Sequence, residues 1–358
     1  MSREGVLQFS PNLFAAFAAD YSGATTTTDI GSAFQRTIYA KELETYCKPQ
    51  LFMENFAVVK RELINERAKT IRIMRANALT ADGDLTEGTS LIGNEEDMSY
   101  AYVDITPSLR GNAVAPTALA MAVSVPDLRK DAIELLGDWA AQKIEKEYFK
   151  CLKNGMSSDR IITPGDKAVS SLGSADKLTT ALISKAKQIL KANNVPAFDP
   201  KTLKPTQPDN GYYVMVVRPE QMYDLVTGDS TYKTAAAQAA LVTAKDVLGP
   251  NWKGFAGFWD GVLIKESTLT DFTDESGAYS VKVAKAFIFG ARAYARAIGK
   301  LPGQQGDFLW RERVDDYGLL HGFAVLWYDG YKVINPRRVW GVYTAATELP
   351  IVKETGTK

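Results

Sequence analysis

The stretch from Pro126 to Leu152 sets the tightest limit on what this chain can fold into. Leu128, Ala132, Leu135, Leu136, Trp139, Ile144, Tyr148 and Leu152 recur at helical spacing, which gathers them on one apolar stripe. Ser124 stands three residues before Asp127, with Pro126 in the first turn, as in a capping box, and Gly155 sits where a C-terminal cap belongs. The pattern predicts one helix over 125–153, about 40 Å long at roughly 1.5 Å per residue. A rod of that length can serve as the backbone of the whole fold.

Just upstream lies a second constraint. Residues 69–76 alternate, with Ile71 and Ile73 against Arg72 and Met74. Residues 100–105 alternate again, with Tyr100, Tyr102 and Asp104 against Ala101, Val103 and Ile105. Both read as strands with one buried face, and they frame a long hairpin over 69–106. From Ala76 to Leu109 there is no Lys or Arg, while Asp82, Asp84, Glu87, Glu95, Glu96, Asp97 and Asp104 all fall there. Such a run is ordinarily a solvated loop, but roughly 34 residues is long for a connection without a task. The predicted helix offers the opposite charge in Arg129, Lys130, Lys143, Lys146, Lys150 and Lys153. An acidic arm and a basic helix can pair between copies of one chain, and such complementarity sets register and partner choice. The candidate interface residues are therefore Asp82, Asp84, Glu87, Glu95, Glu96, Asp97, Arg129, Lys130, Lys143, Lys146 and Lys150.

The remaining sequence reads as mixed α+β. Residues 1–30 are arm-like, with Gly23–Thr28 too polar and β-branched to pack alone, and Pro49 closes a helix expected over 32–47. After a Ser- and Gly-rich loop at 156–175, Leu178, Leu182, Ala186 and Ile189 mark a helix over 176–192. Four prolines punctuate 196–208. A strand at 212–217 then enters a helix through Arg218-Pro219-Glu220, an Ala-rich stretch covers 235–244, and a Gly/aromatic loop runs from Gly249 to Gly261. Strands are expected at 262–266, at 281–289 and several times after 308. No internal repeat is visible.

Chemistry is harder to find. The 358 residues allow two domains or one elaborated one. Forty-two basic residues balance 42 acidic ones, so no bulk attraction to nucleic acid or anionic lipid is expected. Cys47 and Cys151 read as reduced, buried thiols rather than a disulfide. No apolar run reaches the ~18 residues of a membrane span. Leu13–Ala19 reads as a sticky N-terminal arm rather than a signal sequence, so a soluble, intracellularly made protein is expected. The single histidine, His321, lies in a strand-like run without an evident catalytic partner. Asp82-Gly-Asp84 fails as a calcium loop because Glu87 and Gly93 occupy the positions that need Gly and Glu. Gly290 to Gly299-Lys300 fails the spacing of a phosphate loop. No catalytic residue, cofactor or metal is assigned, although an enzyme with an unrecognised site remains a competing reading.

The order of parts resembles the major capsid protein of tailed bacteriophages, the Hong Kong phage capsid fold also found in encapsulin shells. Gly5–Thr28 is similar to the family's arm, Thr70–Thr106 to its extended loop and Pro126–Leu152 to its spine helix. Val214-Met215-Val216-Val217-Arg218-Pro219-Glu220, Gly257–Ile264 and Phe287–Tyr294 resemble segments of its axial domain. Leu79-Thr80, Leu85-Thr86-Glu87-Gly88 and Glu134-Leu135-Leu136-Gly137 are similar to the branch from N-four-like phages.

The resemblance implies an arm and entry helix over 1–66 and an extended loop over 67–108. It implies a peripheral domain over 109–172 and 301–358, and an axial domain over 173–300. It also implies a virion shell protein, made in the host cytoplasm, that assembles into hexamers and pentamers of an icosahedral capsid around double-stranded DNA. Portal and possibly scaffolding or decoration proteins would be its partners, with no sequence-specific contact to the genome and no membrane. An encapsulin-type nanocompartment is the alternative. Some members of the fold weld subunits through a lysine in the extended loop, and here none follows Lys69 at its base. Noncovalent closure is therefore expected.

Overall fold

A helix of 27 residues, Leu128–Asn154, crosses the computed structural model. The structure describes residues 24–25, 52–64, 69–77, 79, 95–124, 127–199, 202–233, 256–273, 281–301 and 307–349. The helices are numbered α1 (Ala118–Val123), α2 (Leu128–Asn154), α3 (Thr180–Ala192) and α4 (Pro219–Gly228). In α2, Ala132, Leu136, Ala140, Ile144, Tyr148 and Leu152 are buried, one residue per turn along a single stripe.

The start of α2 differs from expectation. Ser124 does not cap it; its amide closes the preceding α1 by donating to the Ala120 carbonyl at 3.0 Å. The apolar run Ala118–Val123 forms a helix of its own because Thr117 Oγ1 accepts from the Ala120 amide at 3.1 Å. The cap of α2 is Asp127, whose carboxylate accepts from the Arg129 amide at 3.2 Å. Gly155 does end the helix, but at φ −85°, so a left-handed turn is not its reason. A Cβ there would collide with the Val333 side chain, so glycine lets a strand pass close to the helix end.

The strands are β1 (Ala24–Thr25), β2 (Val58–Lys60), β3 (Ile71–Ala76), β4 (Tyr100–Ile105), β5 (Ser108–Pro116) and β6 (Ile161–Ile162). There follow β7 (Ala197–Phe198), β8 (Pro205–Thr206), β9 (Tyr213–Val217), β10 (Gly257–Trp259), β11 (Val262–Glu266) and β12 (Phe272–Thr273). The last five are β13 (Val283–Phe289), β14 (Tyr294–Gly299), β15 (Leu309–Asp315), β16 (Leu320–Val333) and β17 (Val339–Ala345).

Two sheets carry the body. The first has the order β1-β5-β16-β14-β2, with β15 also paired to β16. The second runs β10-β11-β9-β13-β17-β6, with β12 on β13. The 14-residue β16 is the rail of the first sheet: Leu320–Leu326 pair with β15, Phe323–Asp329 with β5 and Tyr328–Val333 with β14.

In the second sheet β9 and β13 are buried at every position, as befits strands covered on both faces. Val214, Val216, Phe287 and Phe289 face the core shared with α2. Tyr213, Met215, Val217, Ala286 and Ile288 face the opposite side with Leu182, Ile183, Ala186 and Leu190 of α3. The spine helix touches both sheets, through Trp139 on Trp327 and Tyr148 on Tyr331 of β16, and Phe149 on Phe287 of β13.

The helix expected from residue 176 begins at Thr180. Asp176 is engaged elsewhere, accepting from the Gly173 amide at 2.8 Å and from Lys167. Asp229 meets the first helical residue instead, accepting from the Thr180 amide at 2.9 Å and its hydroxyl at 2.6 Å. Strand β9 enters α4 through Arg218 and Pro219, as its sequence suggests, and Gln221 Oε1 accepts from the Arg218 amide at 3.2 Å. The helix expected over 32–47, the Ala-rich 235–244 and Cys47 lie outside the described residues. Cys151 is a free thiol, which burial pushes up to about 12.

Candidate contact surfaces and the polar hub behind them

Strands β3 and β4 form the expected antiparallel ribbon, in register from Ile71↔Ile105 to Ala76↔Tyr100. Its base is bound to the body: Ile71 and Ile105 are buried with Leu63, Ala295 and Ala297. Farther out it loses that cover. Met74 is 68% exposed and Met98 71%, and Tyr100 and Tyr102 are exposed beside them. Arg72 donates to Asp104 through two bonds of 2.8 Å, and its guanidinium lies 4.2 Å from the centre of the Tyr102 ring. Bonding to Arg72 holds the Asp104 carboxyl below its ordinary range.

The sequence-derived interface residues do not all stay available. Asp82, Asp84 and Glu87 lie outside the described residues. Glu95 and Asp97 are exposed and Glu96 half-buried on the approach to β4. On the helix, Arg129 is engaged within its own chain, donating to Glu312 Oε1 of β15 at 2.6 and 3.2 Å. Lys130 stands 3.9 Å from Asp127. Lys143 donates to Glu147 at 2.7 Å. Lys146 and Lys150 are exposed and have no ion pair among the described residues.

Sequence reading missed a second exposed surface at the β15–β16 turn. Asp316, Tyr317 and Gly318 all take positive φ (49°, 53° and 94°), and the Tyr317 side chain projects wholly into solvent. Val314 and Leu319 beside it, and Leu119 and Val123 of α1, are also exposed. The Leu319 carbonyl accepts from the Ala118 amide at 2.8 Å, which holds that turn against α1. The available signal was Asp315-Asp316-Tyr317-Gly318, a turn composition between two strand-like runs.

Behind these surfaces lies a buried polar hub centred on Asp329 of β16, which has no solvent exposure. Its carboxylate accepts from Arg110 of β5, from Arg296 of β14 at 3.2 Å, from Trp327 Nε1 at 3.1 Å and from the Tyr331 hydroxyl. Arg110 also reaches Glu147 of α2 at 3.1 Å, and Arg296 reaches Glu54 at 3.0 Å. Burial alone would raise the Glu147 carboxyl, but Lys143 and Arg110 bring it below its ordinary range. The hub thus ties β5, β14, β16, α2 and the turn at residues 53–56 together. Most of its polar groups engage one another, while Arg296 Nη2 is buried 3.1 Å from Asp329 without a formed hydrogen bond. Among the described residues no cluster of His, Cys, Asp and Glu could hold a metal ion, and no helix is long and apolar enough to cross a membrane.

A long helix packed on two sheets, with a separate two-stranded ribbon anchored at its base, is an architecture shared with the capsids of tailed phages. The family model for phage capsid protein matches residues 15–352. The chain belongs to that family and is a major capsid protein, a component of the virion shell. Its fold is similar to the capsid of Ralstonia phage GP4 (20% identity, TM-score 0.65, covering 83% of this chain and 89% of that one). It is similar also to the cyanophage Pam1 capsid (15% identity, TM-score 0.65, 82% and 89%). The SrpI encapsulin of Synechococcus elongatus shares the fold at 11% identity and TM-score 0.53, over 86% and 92%. No curated protein matches the sequence significantly.

Proposed function

We propose that this subunit assembles into hexamers and pentamers of an icosahedral shell around double-stranded DNA, acting structurally and not as an enzyme. The observation that carries this is the ribbon: its base is fixed in the body while Met74, Met98, Tyr100 and Tyr102 are left uncovered by their own chain. In a soluble monomer such a group of apolar side chains would be a liability, and a neighbouring copy is the natural cover. The arm and entry segment (1–66) and the extended loop (67–108) then reach adjacent subunits. Residues 109–172 and 301–358, with the spine helix, act as a peripheral domain and 173–300 as an axial one. Many modest contacts are multiplied by symmetry.

The acidic approach (Glu95, Glu96, Asp97) and tip (Asp82, Asp84, Glu87) pair with a neighbour's helix. Lys146 and Lys150 are the first choice of partner, because Arg129 and Lys143 are already engaged at home. Closure is noncovalent, as the loop has no lysine beyond Lys69. Portal and possibly scaffolding or decoration proteins complete the particle, which holds the genome without sequence-specific contacts. The match to phage capsid protein over 15–352 favours a virion over a cargo-loading compartment.

Negative-stain microscopy and size-exclusion chromatography of the purified full chain test the proposal. Capsomers or closed shells are expected, and a strictly monomeric species at every ionic strength would refute it.

A further inference from the structure

One buried acid is not part of the polar hub. Glu145 lies on the buried side of α2, 4% exposed, and its Oε1 accepts from the Met53 amide at 3.0 Å. The Phe52 amide bonds to the same carboxyl. These two amides open the turn Met53–Phe56, which lies within the segment assigned to the arm and entry region. The turn is held from other sides as well. Tyr294 of β14 donates its hydroxyl to the Met53 carbonyl at 2.8 Å. Phe56 packs edge-on against Phe198 and Phe289. A carboxyl on the spine helix thus fastens the backbone of the Met53–Phe56 turn.

The charged groups around Glu145 do not compensate its ionisation. Glu54, on the turn itself, repels it, and Arg296 is bound to Glu54 at 3.0 Å. Tyr148 on α2 and Tyr294 on β14 are neutral, both raised above their ordinary value first by burial. Cys151, one turn farther along α2, is raised by burial too. Lys265 of β11 attracts it, but that ammonium lies 5.4 Å from the centre of the Phe52 ring. We propose that Glu145 is a proton-operated latch between the spine helix and the Met53–Phe56 turn, closed while the carboxyl is protonated and driven open when it ionises.

The sign follows from linkage. Burial, opposed by the two amides and reinforced by Glu54, carries the closed-state carboxyl from 4.5 up to about 7. Once the turn lifts away and water reaches the carboxyl, its ordinary acidity returns. The proton is therefore bound more tightly in the closed state, and opening becomes easier as pH rises through neutrality. Between the ordinary carboxyl range and about 7 the opening equilibrium grows about tenfold per pH unit, one proton being released per opening, and above 7 it levels off because both states are then ionised.

Amide hydrogen exchange over residues 52–57 of the full chain tests this, with intrinsic pH dependence removed and β13 amides as the internal reference. Between pH 6 and pH 8.5 protection of the 52–57 amides should fall about tenfold, while β13 holds steady. Glu145→Gln, a neutral carboxamide that still accepts from the Met53 amide, should keep the low-pH protection throughout. Protection of 52–57 that tracks β13 at every pH in the wild-type chain would overturn the latch. So would an unchanged pH response in Glu145→Gln. If that variant fails to fold, the wild-type profile against β13 decides alone.

Discussion

Two arginine–aspartate pairs divide the molecule by what surrounds them. Arg296 and Asp329 meet inside the body with Trp327, Tyr331, Arg110 and Glu54 around them. Arg72 and Asp104 meet on the outward face of the hairpin with better fork geometry, yet both are open to water. An exposed pair is screened and its side chains are costly to immobilise, so it adds little to folding. A buried pair is different, because removing either member strands the other in a poor solvent. The hub therefore holds its own subunit together, whereas the hairpin offers its chemistry outward.

The comparison can be broken most severely at Asp329. Asp329→Ala leaves Arg110 and Arg296 short of their shared acceptor and should cost about 3–5 kcal/mol in chemical denaturation of the dissociated subunit. A smaller loss is expected at Gly290, where the chain turns from β13 towards β14. A Cβ there would meet the Val195 side chain and come within 2.6 Å of the Pro196 carbonyl oxygen. Gly290→Ala should therefore lower stability by about 1–3 kcal/mol, read from the same denaturation curves.

On the hairpin the expectation reverses, with assembly changing while the subunit stays folded. Changing Glu95, Glu96 and Asp97 together to Lys should suppress shell formation in electron micrographs at moderate salt and leave the circular dichroism melt in place. Adding Lys146→Glu and Lys150→Glu to that variant should restore part of the assembly. A triple variant that builds shells normally would reduce these acids to solvated decoration. The smallest effect on folding belongs to Arg72→Ala, whose melting midpoint should stay within scatter of the wild type.

The spine helix was legible because an apolar residue returns at nearly every turn from Leu128 to Leu152, and few other structures tolerate that period. The hairpin was legible through plain alternation. Strand β5 was not: Ser108-Leu109-Arg110-Gly111-Asn112-Ala113 has no strand-like pattern of its own. It is extended because β16 offers it a ladder from Asp329↔Ser108 to Phe323↔Val114, and Gly111 leaves room for the Leu326 side chain. The hub was invisible for a related reason. Arg110 and Asp329 are 219 positions apart, and nothing local marks two charged residues as partners across that separation. Charge patterning along α2 overcounted the available cations, since Glu312 and Glu147 claim two of them only once the chain is folded. The Ser124 cap failed more simply: Thr117 starts a helix one segment earlier, and Asp127 was the better acceptor.

Strand β16 and helix α2 lie against each other, joined by Trp139 on Trp327, Tyr148 on Tyr331 and the close pass of Val333 at Gly155. In mechanical terms the two form a composite beam, bonded at several points, that resists flexing far better than either member alone. A wall built from such beams stores little strain within its units. Differences in curvature from one place to another would then fall on the base of the ribbon near Ile105 rather than on the beam.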